Sequence, residues 1–578
     1  MDKAPQVNLQ TTANFFLEGL NEIGIEYLFC NFGTDYAPLI EEMARWRGEG
    51  RKFPTPLLCP HENTAVNMAV GYAMATGRGQ AVMVHVDAGT SNSAMAMHDA
   101  CRSRVPVLLM AGKAPYTVRG ELPGSRDTYV HFIQEPFDQG GIVRNYVKWE
   151  WTLPSGVITK EVLRRAHTVA HSDPRGPVYL MLPRETLAQT WDAAAVRSFP
   201  EERYGPSGAG AAEAGLVGAI ADRLLAAKHP ILITSYAGRN ARAPGLIEAL
   251  AQFAGIRVFE FNPVHLNISR ASPCFGGMVP GKHVAEADVG LLVDVDVPWI
   301  PRDTRENPDT WWAQIDVDVV KERFPIWGFP SNLRLPGDST LILAQLLEAL
   351  KAKATPAFRD AAAKRLEAMT RERGERRAEA AKLAAAKGAP GAVNTHYLCA
   401  EIARALGEND IIVNESIRNA GVVYRQITRT RPGTSLGFGG GGLGCSGGIA
   451  LGAKLARPDA TVVQLAGDGS FYFGNPSSVY AVSQQYKIPI FTVVLDNSGW
   501  SAVKESTLRM YPDGAAKSLG EFGARLAPDV EFSKICEAAG GYGEKLTDPD
   551  AVPAAIQRCL AAVRGGRPAV LHVKIPVL

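Results

Sequence analysis

Two segments in the last quarter of the chain bring together residue types that hold hard cations. Gly467-Asp468-Gly469-Ser470 closes the apolar run TVVQLA, and Asn497-Ser498-Gly499 closes a second run, PIFTVVLD. A carboxylate and an amide oxygen at the ends of neighbouring parallel strands, with loop carbonyls such as that of Gly499 beside them, form an all-oxygen set. Such a set suits Mg²⁺, which takes six oxygens at about 2.0–2.1 Å and completes its shell with water and phosphate. The glycines flanking Asp468 allow backbone N–H groups to approach a phosphate closely. A lone Gly-Asp-Gly reads better as a structural turn. Followed by Asn across one helix and one strand, it becomes a specific pattern.

These residues require parallel strands that end side by side, and the chain supplies strand-like runs in three sets. The first holds YLFCNFG (27–33), AVMVHVD (81–87), VPVLLMAG (105–112) and PVYLMLP (177–183). The second holds PILITS (230–235), RVFEF (257–261), VGLLVDVD (289–296) and WWAQIDVD (311–318). The third holds IIVNES (411–416), TVVQLAGDG (461–469), PIFTVVLDN (489–497) and AVLHVKIP (569–576). Continuous apolar runs of this length suit strands buried on both faces, and the helix-periodic stretches between them suit crossover helices. The expected class is α/β with three doubly wound parallel-sheet domains. The first and third sets leave room for a common fold. A Gly/Ala/Pro-rich stretch (203–215) separates the first two sets, and an Ala/Lys/Arg/Glu-rich stretch (351–392), closed by GAPGA, reads as a solvated helix and linker.

Composition narrows the function classes. At 578 residues the chain exceeds one core and suits about three domains of roughly 100–200 residues. Its 61 basic and 59 acidic side chains leave a net charge of +2, which offers no long-range field for nucleic acid or an anionic membrane. The segment MDKAPQVNLQTTANFF lacks the form of a signal peptide, and no apolar run reaches the ~18 residues of a membrane span. The eight cysteines include no C-x-x-C. They fit neither a zinc cluster nor a disulfide framework, and the expected location is the cytoplasm.

The third-set motif, Gly-Asp-Gly running to Asn, resembles the diphosphate-binding motif of thiamine-diphosphate-dependent enzymes. The resemblance extends over most of the chain and points to the branch containing acetolactate synthase and benzoylformate decarboxylase. It implies a pyrimidine-binding domain (8–190), a central domain (208–352) and a diphosphate-binding domain (390–578). It implies that Asp468, Asn497 and the Gly499 carbonyl hold Mg²⁺ against the diphosphate of thiamine diphosphate, with Gly467, Gly469 and Ser470 beside it. Pro60-His61-Glu62, ahead of a small-residue helix, matches the segment bearing the cofactor-activating glutamate; the bland alternative is that Glu62 caps that helix. A carboxylate on the aminopyrimidine ring favours the tautomer whose nitrogen takes the C2 proton. In the glycine run 439–444, Gly441 lies beside the cofactor and Leu443 matches the apolar wedge that bends it. That run also satisfies G-x-G-x-x-G, but the preceding TSLGF is weak as a strand and the downstream acid is Asp468 itself, so NAD binding is the lesser reading.

The same resemblance bears on the reaction. His85 matches a substrate-facing acid-base histidine of benzoylformate decarboxylase that acetolactate synthases lack. Thr34 stands where that decarboxylase has a carboxylate-binding serine, and Asn414-Glu415-Ser416 repeats another of its segments. Its second catalytic histidine, near the stretch matching Val297-Pro298-Trp299, has no counterpart, and the remaining histidines read as ordinary. Phe132-Ile133-Gln134-Glu135 resembles a synthase segment, making Gln134 a substrate-channel candidate. FAD, present in acetolactate synthases, is not legible in the central stretch. The resemblance implies a C–C bond lyase or carboligase acting on a 2-oxo acid in the manner of acetolactate synthase. The alternatives are a decarboxylase releasing an aldehyde and a thiamine-diphosphate-binding protein without turnover. The implied assembly is a homodimer or homotetramer with the active site across subunits.

Overall fold

The computed structural model describes residues 8–527 and 530–577. The first seven residues, which begin the segment without signal-peptide form, and the very end of the 390–578 stretch lie outside it. Three six-stranded parallel sheets organise the chain. The first contains β1 (Tyr27–Cys30), β2 (Thr55–Leu58), β3 (Gln80–Val84), β4 (Val107–Lys113), β5 (Glu150–Thr152) and β6 (Val178–Pro183), in the spatial order β2-β1-β3-β4-β6-β5. The second contains β7 (Pro230–Thr234), β8 (Arg257–Glu260), β9 (Phe275–Gly277), β10 (Val289–Val293), β11 (Trp311–Asp316) and β12 (Leu333–Pro336), in the order β9-β8-β7-β10-β11-β12. The third contains β13 (Ile411–Glu415), β14 (Ser435–Leu436), β15 (Val462–Gly467), β16 (Phe491–Asp496), β17 (Tyr542–Leu546) and β18 (Ala569–Lys574), in the order β14-β13-β15-β16-β18-β17.

Counted within each sheet, the first and third share the order 2-1-3-4-6-5, whereas the second follows 3-2-1-4-5-6. The second order reverses direction once, and the other two reverse beside the first strand and again at the far edge, where the sixth strand inserts between the fourth and fifth; ligands of open α/β sheets bind outside the strand carboxyl ends at the switch beside the first strand. In the first sheet the switch lies between β1 and β3, in the third between β13 and β15. TSLGF, read as weak for a strand, contains β14; only its Ser435 and Leu436 pair, at the edge of the third sheet.

The interior strands are buried along almost their whole length, as the continuous apolar runs require. Five helices carry or flank the side chains of interest: α1 (Glu62–Thr76), α2 (Asp87–Arg102), α3 (Pro356–Ala385), α4 (Ala420–Gln426) and α5 (Ser446–Ala456). The long α3 buries only Phe358, Ala362, Met369 and Ala380. The segment after it is a short antiparallel ladder, Gly388–Ala389 on Ala392–Val393, rather than a bare linker.

The chain divides into two compact units. One takes in residues up to Ser207 together with Gly440–Arg457 and Gly474–Tyr486; the other takes in Gly208–Gly439, Pro458–Phe473 and the chain from Lys487 onward. Within the first unit α5 packs on α1, two helices rich in small residues. A Cβ on Gly71 would stand 2.1 Å from the Ile449 carbonyl oxygen, and one on Gly452 2.1 Å from that of Met68. Only glycine permits backbones this close. Among the described residues no helix is long and apolar enough to cross a membrane, and all eight cysteines are free thiols.

Candidate active site

The candidate residues fall into two groups, one in each unit, and nearly all follow the carboxyl end of a strand. In the first unit, α1 begins at Glu62 just beyond β2. Its cap is His61, which has extended backbone and accepts from the Asn63 amide at 3.1 Å through Nδ1. Glu62 therefore does not serve as the cap. Its carboxylate is buried, with 7% of the residue exposed, and Oε2 accepts from Asn92 Nδ2 of α2 at 3.1 Å. Asn63 Nδ2 donates to the Gly444 carbonyl at 3.1 Å, which fastens the stretch carrying Leu443 beside the start of α1. In the glycine run, the amides of Gly441 and Gly442 donate to His98 Nε2 and Asp99 Oδ1, each at 3.1 Å. Leu443 is half-buried and Gly441 exposed.

The loops after β1 and β3, at the switch of the first sheet, bring Thr34 and His85 together with two residues that the sequence did not single out. His85 Nδ1 donates to Asp35 Oδ2 at 2.5 Å. Asp35 is fully buried, and its Oδ1 has no hydrogen-bond partner. A Cβ on Gly33 would fall 1.8 Å from His85 Nδ1, and one on Gly112 2.4 Å from the Asp35 side chain, so these glycines make room for the pair. The hydrogen bond to Asp35 raises the His85 pKa above its ordinary value. Burial works against this, while the charge of Asp35 and the neighbouring Gln134 side chain add to it. The amide oxygen of Gln134 is buried and has no hydrogen-bond partner.

His131 is the second unanticipated residue. Read as ordinary from sequence, it is buried, and its Nε2 lies 3.1 Å from the Thr34 hydroxyl. Burial lowers its pKa, partly offset by Asp127, which lies 3.3 Å from Nδ1. Two histidines thus meet Thr34 and Asp35, one with its pKa raised by a carboxylate partner and one with its pKa lowered by burial. The stretch Val297-Pro298-Trp299 supplies none: Trp299 is 1% exposed and packs against Trp312 and Phe329 in the second sheet's core.

In the second unit, adjacent strands β15 and β16 run in register and end together. Asp468 is buried directly after Gly467, the last residue of β15; its Oδ1 accepts from the Gly469 amide and its Oδ2 from the Gly499 amide, both at 2.9 Å. Asn497 Oδ1 accepts from the same Gly499 amide at 3.1 Å, and its Nδ2 donates to Ser501 Oγ at 2.7 Å. One N–H therefore gathers the two candidate side-chain ligands. Ser470 is buried in the turn that follows, and Trp500 covers Gly469, whose Cβ would meet the indole at 2.7 Å.

Asp496, the last residue of β16, was also missed by sequence reasoning. It is held by His572 Nε2 at 2.6 Å and Lys574 Nζ at 2.8 Å, both on β18. Burial would raise its pKa, but these two partners outweigh burial and keep it ionised. Asp468 is shifted the other way. Burial raises its pKa, the charge of Asp496 raises it further, and the two amides only partly compensate. A buried carboxylate facing a second carboxylate, with an amide oxygen beside it, is a site that a divalent cation would neutralise. The donor set fits Mg²⁺, with Asp468 and Asn497 as the side chains that would hold it.

Three doubly wound sheets, with an all-oxygen cluster where β15 and β16 end and a carboxylate–histidine pair at the switch point of the first sheet, describe an α/β enzyme with its site at the carboxyl ends of parallel strands. Residues 10–142 match the family model of the thiamine pyrophosphate enzyme N-terminal TPP binding domain. Residues 419–573 match that of the C-terminal TPP binding domain. The chain belongs to the thiamine pyrophosphate enzyme family, in the branch that includes benzoylformate decarboxylase and acetolactate synthase. It is similar to benzoylformate decarboxylase of Pseudomonas aeruginosa, with 26% identity over 574 residues, 96% of this chain and 98% of that protein. It is similar also to the acetolactate synthase large subunit of Haemophilus influenzae, with 24% identity over 575 residues, 95% of this chain and 92% of the other. The fold superposes on a Rhodococcus jostii thiamine diphosphate-dependent 4-hydroxybenzoylformate decarboxylase with a TM-score of 0.78 at 20% identity, covering 98% of this chain and 100% of that one.

Proposed function

We propose that the protein is a thiamine-diphosphate- and Mg²⁺-dependent decarboxylase that converts a 2-oxo acid to an aldehyde. The observation that carries this reading is the His85–Asp35 pair in the same pocket as Thr34 and His131. Bound thiamine diphosphate supplies the carbon nucleophile and electron sink on which a 2-oxo acid can lose CO₂. On the resemblance, Glu62 would bind the aminopyrimidine ring, Leu443 would pack against the cofactor, and Asp468, Asn497 and the Gly499 carbonyl would hold the metal at the diphosphate. Gly467, Gly469 and Ser470 would line that end, and Gly441 is a further cofactor-binding candidate on the resemblance. The Thr34 hydroxyl, with His131 behind it, receives the substrate carboxylate.

His85 does the work that separates an aldehyde from a ligation product. Because Nδ1 is engaged by Asp35, the proton available to substrate is held at Nε2, and the hydrogen bond to Asp35, which raises the His85 pKa, favours its retention there. A positioned acid of this kind favours protonation of the carbon that loses CO₂. Gln134 beside His85 favours the second reading, an acetolactate-synthase-like carboligase, in which that carbon instead joins a second carbonyl compound. The smallest active unit is a homodimer. The resemblance pairs Glu62 of one subunit with Asp468 of the other, and both units carry exposed apolar residues for such an interface, Phe132, Ile133 and Phe137 in one and Met510, Tyr511 and Leu519 in the other.

The test is incubation of the holoenzyme with a panel of aliphatic and aromatic 2-oxo acids, with aldehydes separated from hydroxyketones. Aldehyde as the main product supports the decarboxylase, hydroxyketone as the main product favours the carboligase, and neither product from any acid removes the substrate class.

A further inference from the structure

The second unit holds a cavity of about 510 Å³ that shares no residue with the candidate active site. It opens among the edge strand β9, the long helix α3 and helix α4. Its walls carry five arginines, Arg270, Arg373, Arg376, Arg377 and Arg425, against one carboxylate, Glu379. Phe275, Met278 and Tyr424 add apolar surface. The volume falls within the roughly 300–1,000 Å³ of small-molecule sites.

The charges on α3 are sorted rather than mixed at this wall. Arg373, Arg376 and Arg377 stand three and four residues apart, which puts them on one helix face, where like charges repel. Glu372 offers little relief, because it forms a bidentate pair with Arg257 at 2.5 and 3.0 Å and lies 3.9 Å from Arg376. Arg376 spends one N–H on the Phe275 carbonyl at 2.6 Å.

Arg270 marks the cavity as a built site. Its side chain is 1% exposed and lies 4.4 Å over the Tyr424 ring. Nε donates to Glu260 at 2.7 Å and Nη1 to Ser435 Oγ at 3.1 Å, while Nη2 has no hydrogen-bond partner. A buried guanidinium held rigid on two edges, with the third nitrogen unsatisfied, is preorganised for an anion. The geometry points to a binding site for a small organic polyphosphate of the nucleoside di- or triphosphate class, with its phosphates among Arg270, Arg373, Arg377 and Arg425 and its organic half against Phe275 and Met278. Burial, followed by the charge of Arg377, disfavours the ionised form of Arg373, and burial followed by Arg257 does the same for Arg376. A bound polyanion relieves both.

The site lies away from the crevice where a doubly wound sheet ordinarily takes a nucleotide. In the second sheet that crevice is the switch between β7 and β10. There the Asp294 carbonyl accepts the amides of Ser235 and Tyr236, and the Asp294 side chain accepts from Ser339 Oγ.

The test uses holoenzyme saturated with thiamine diphosphate and Mg²⁺, so that the diphosphate-binding motif is filled. It is titrated calorimetrically with ADP in one arm and inorganic tripolyphosphate in the other. Saturable binding of one ADP per chain is expected, weakened roughly tenfold or more in the double variant Arg373→Ala/Arg377→Ala. Thiamine diphosphate affinity and turnover without ADP should be unchanged in that variant. Arg425→Ala, on a different helix, should weaken binding in the same direction and guards against a folding defect in α3. Tighter binding of ADP than of tripolyphosphate supports the organic half, and equal binding overturns it. No saturable binding in either arm at millimolar concentration, or binding indifferent to both variants, overturns the site.

Discussion

The substitution Asp35→Asn isolates the interaction on which the decarboxylase reading rests. The carboxylate is fully buried and receives the His85 proton at 2.5 Å, so solvent screens it little. A hydrogen bond with a charged partner contributes about 1.5–3 kcal/mol. Its loss should lower the His85 pKa. At about 1.36 kcal/mol per tenfold in rate, the same energy corresponds to a loss of roughly 10–150-fold in kcat/KM, within the range that general acid catalysis supplies. The pH limb set by His85 should move to lower pH. Stability follows the same sign. A histidine whose folded pKa is raised stabilises fully below its unfolded pKa and loses that contribution as pH rises through the folded value. Asp35→Asn should therefore melt below the parent in mildly acidic solution and approach it in alkaline solution, where His85 is neutral in both. The assay is kcat/KM against pH with the best 2-oxo acid of the panel, for the parent, Asp35→Asn, His85→Ala and the double variant. The double variant should be no slower than His85→Ala alone. A pH profile unmoved in Asp35→Asn, with rates within about twofold of the parent, a change too small for a lost charged hydrogen bond, would refute the reasoning.

Three further outcomes are expected. Asp468→Ala should abolish the rise in melting temperature that thiamine diphosphate plus Mg²⁺ gives the parent, about 2.7 kcal/mol at a hundredfold excess over Kd, and chelation should do the same to the parent; an undiminished shift removes Asp468 from the site. Glu62→Gln and Asp468→Ala, each inactive alone, should recover up to about half the parental activity in a purified heterodimer, because one of its two sites then carries neither lesion; no recovery from a folded heterodimer refutes the shared site. Gly71→Ala should destabilise by about 1–3 kcal/mol despite its better helix propensity, because the added methyl meets the Ile449 carbonyl. Gly374→Ala, in open space on α3, should stabilise by roughly 0.5–1 kcal/mol. Melting curves that rank the two variants the other way would mean that α1 and α5 are not interlocked.

The fold was legible where burial governs the sequence. In each sheet the four interior strands appear as continuous apolar runs, whereas the two edge strands do not. β2 carries an exposed Leu58, β9 is Phe-Gly-Gly, β14 pairs through two residues, and β17 carries the adjacent charges Glu544 and Lys545. An edge strand has one neighbour and meets solvent, so nothing compels it to be apolar throughout.

The site divides along a similar line. Asp468 and Asn497 were legible because a turn, a helix and a strand fix their spacing. Asp35 was not, because an acid in the first turn after a strand equally serves the dipole of the following helix. His131 lies in a one-turn helix, Val130–Ile133, in the long connection between β4 and β5, and meets Thr34 only through the tertiary path of the chain. Asp496 and Lys574 are cross-strand partners, a relation between β16 and β18 that no local pattern records.

The interlock of α1 and α5 also bears on how the molecule is made. Residues 62–76 leave the ribosome with the remainder of the first sheet, but the helix that fills the notch at Gly71 is not complete until residue 456 has been added. At about 5–20 residues per second, the stretch between residues 76 and 446 takes roughly 20–70 s to synthesise. Throughout that interval a nascent first sheet presents a helix face cut to fit a backbone that does not yet exist. Closure of that face is a late, long-range event, so the start of α1, with Glu62, is brought to its final setting only by the arrival of the last third of the polypeptide.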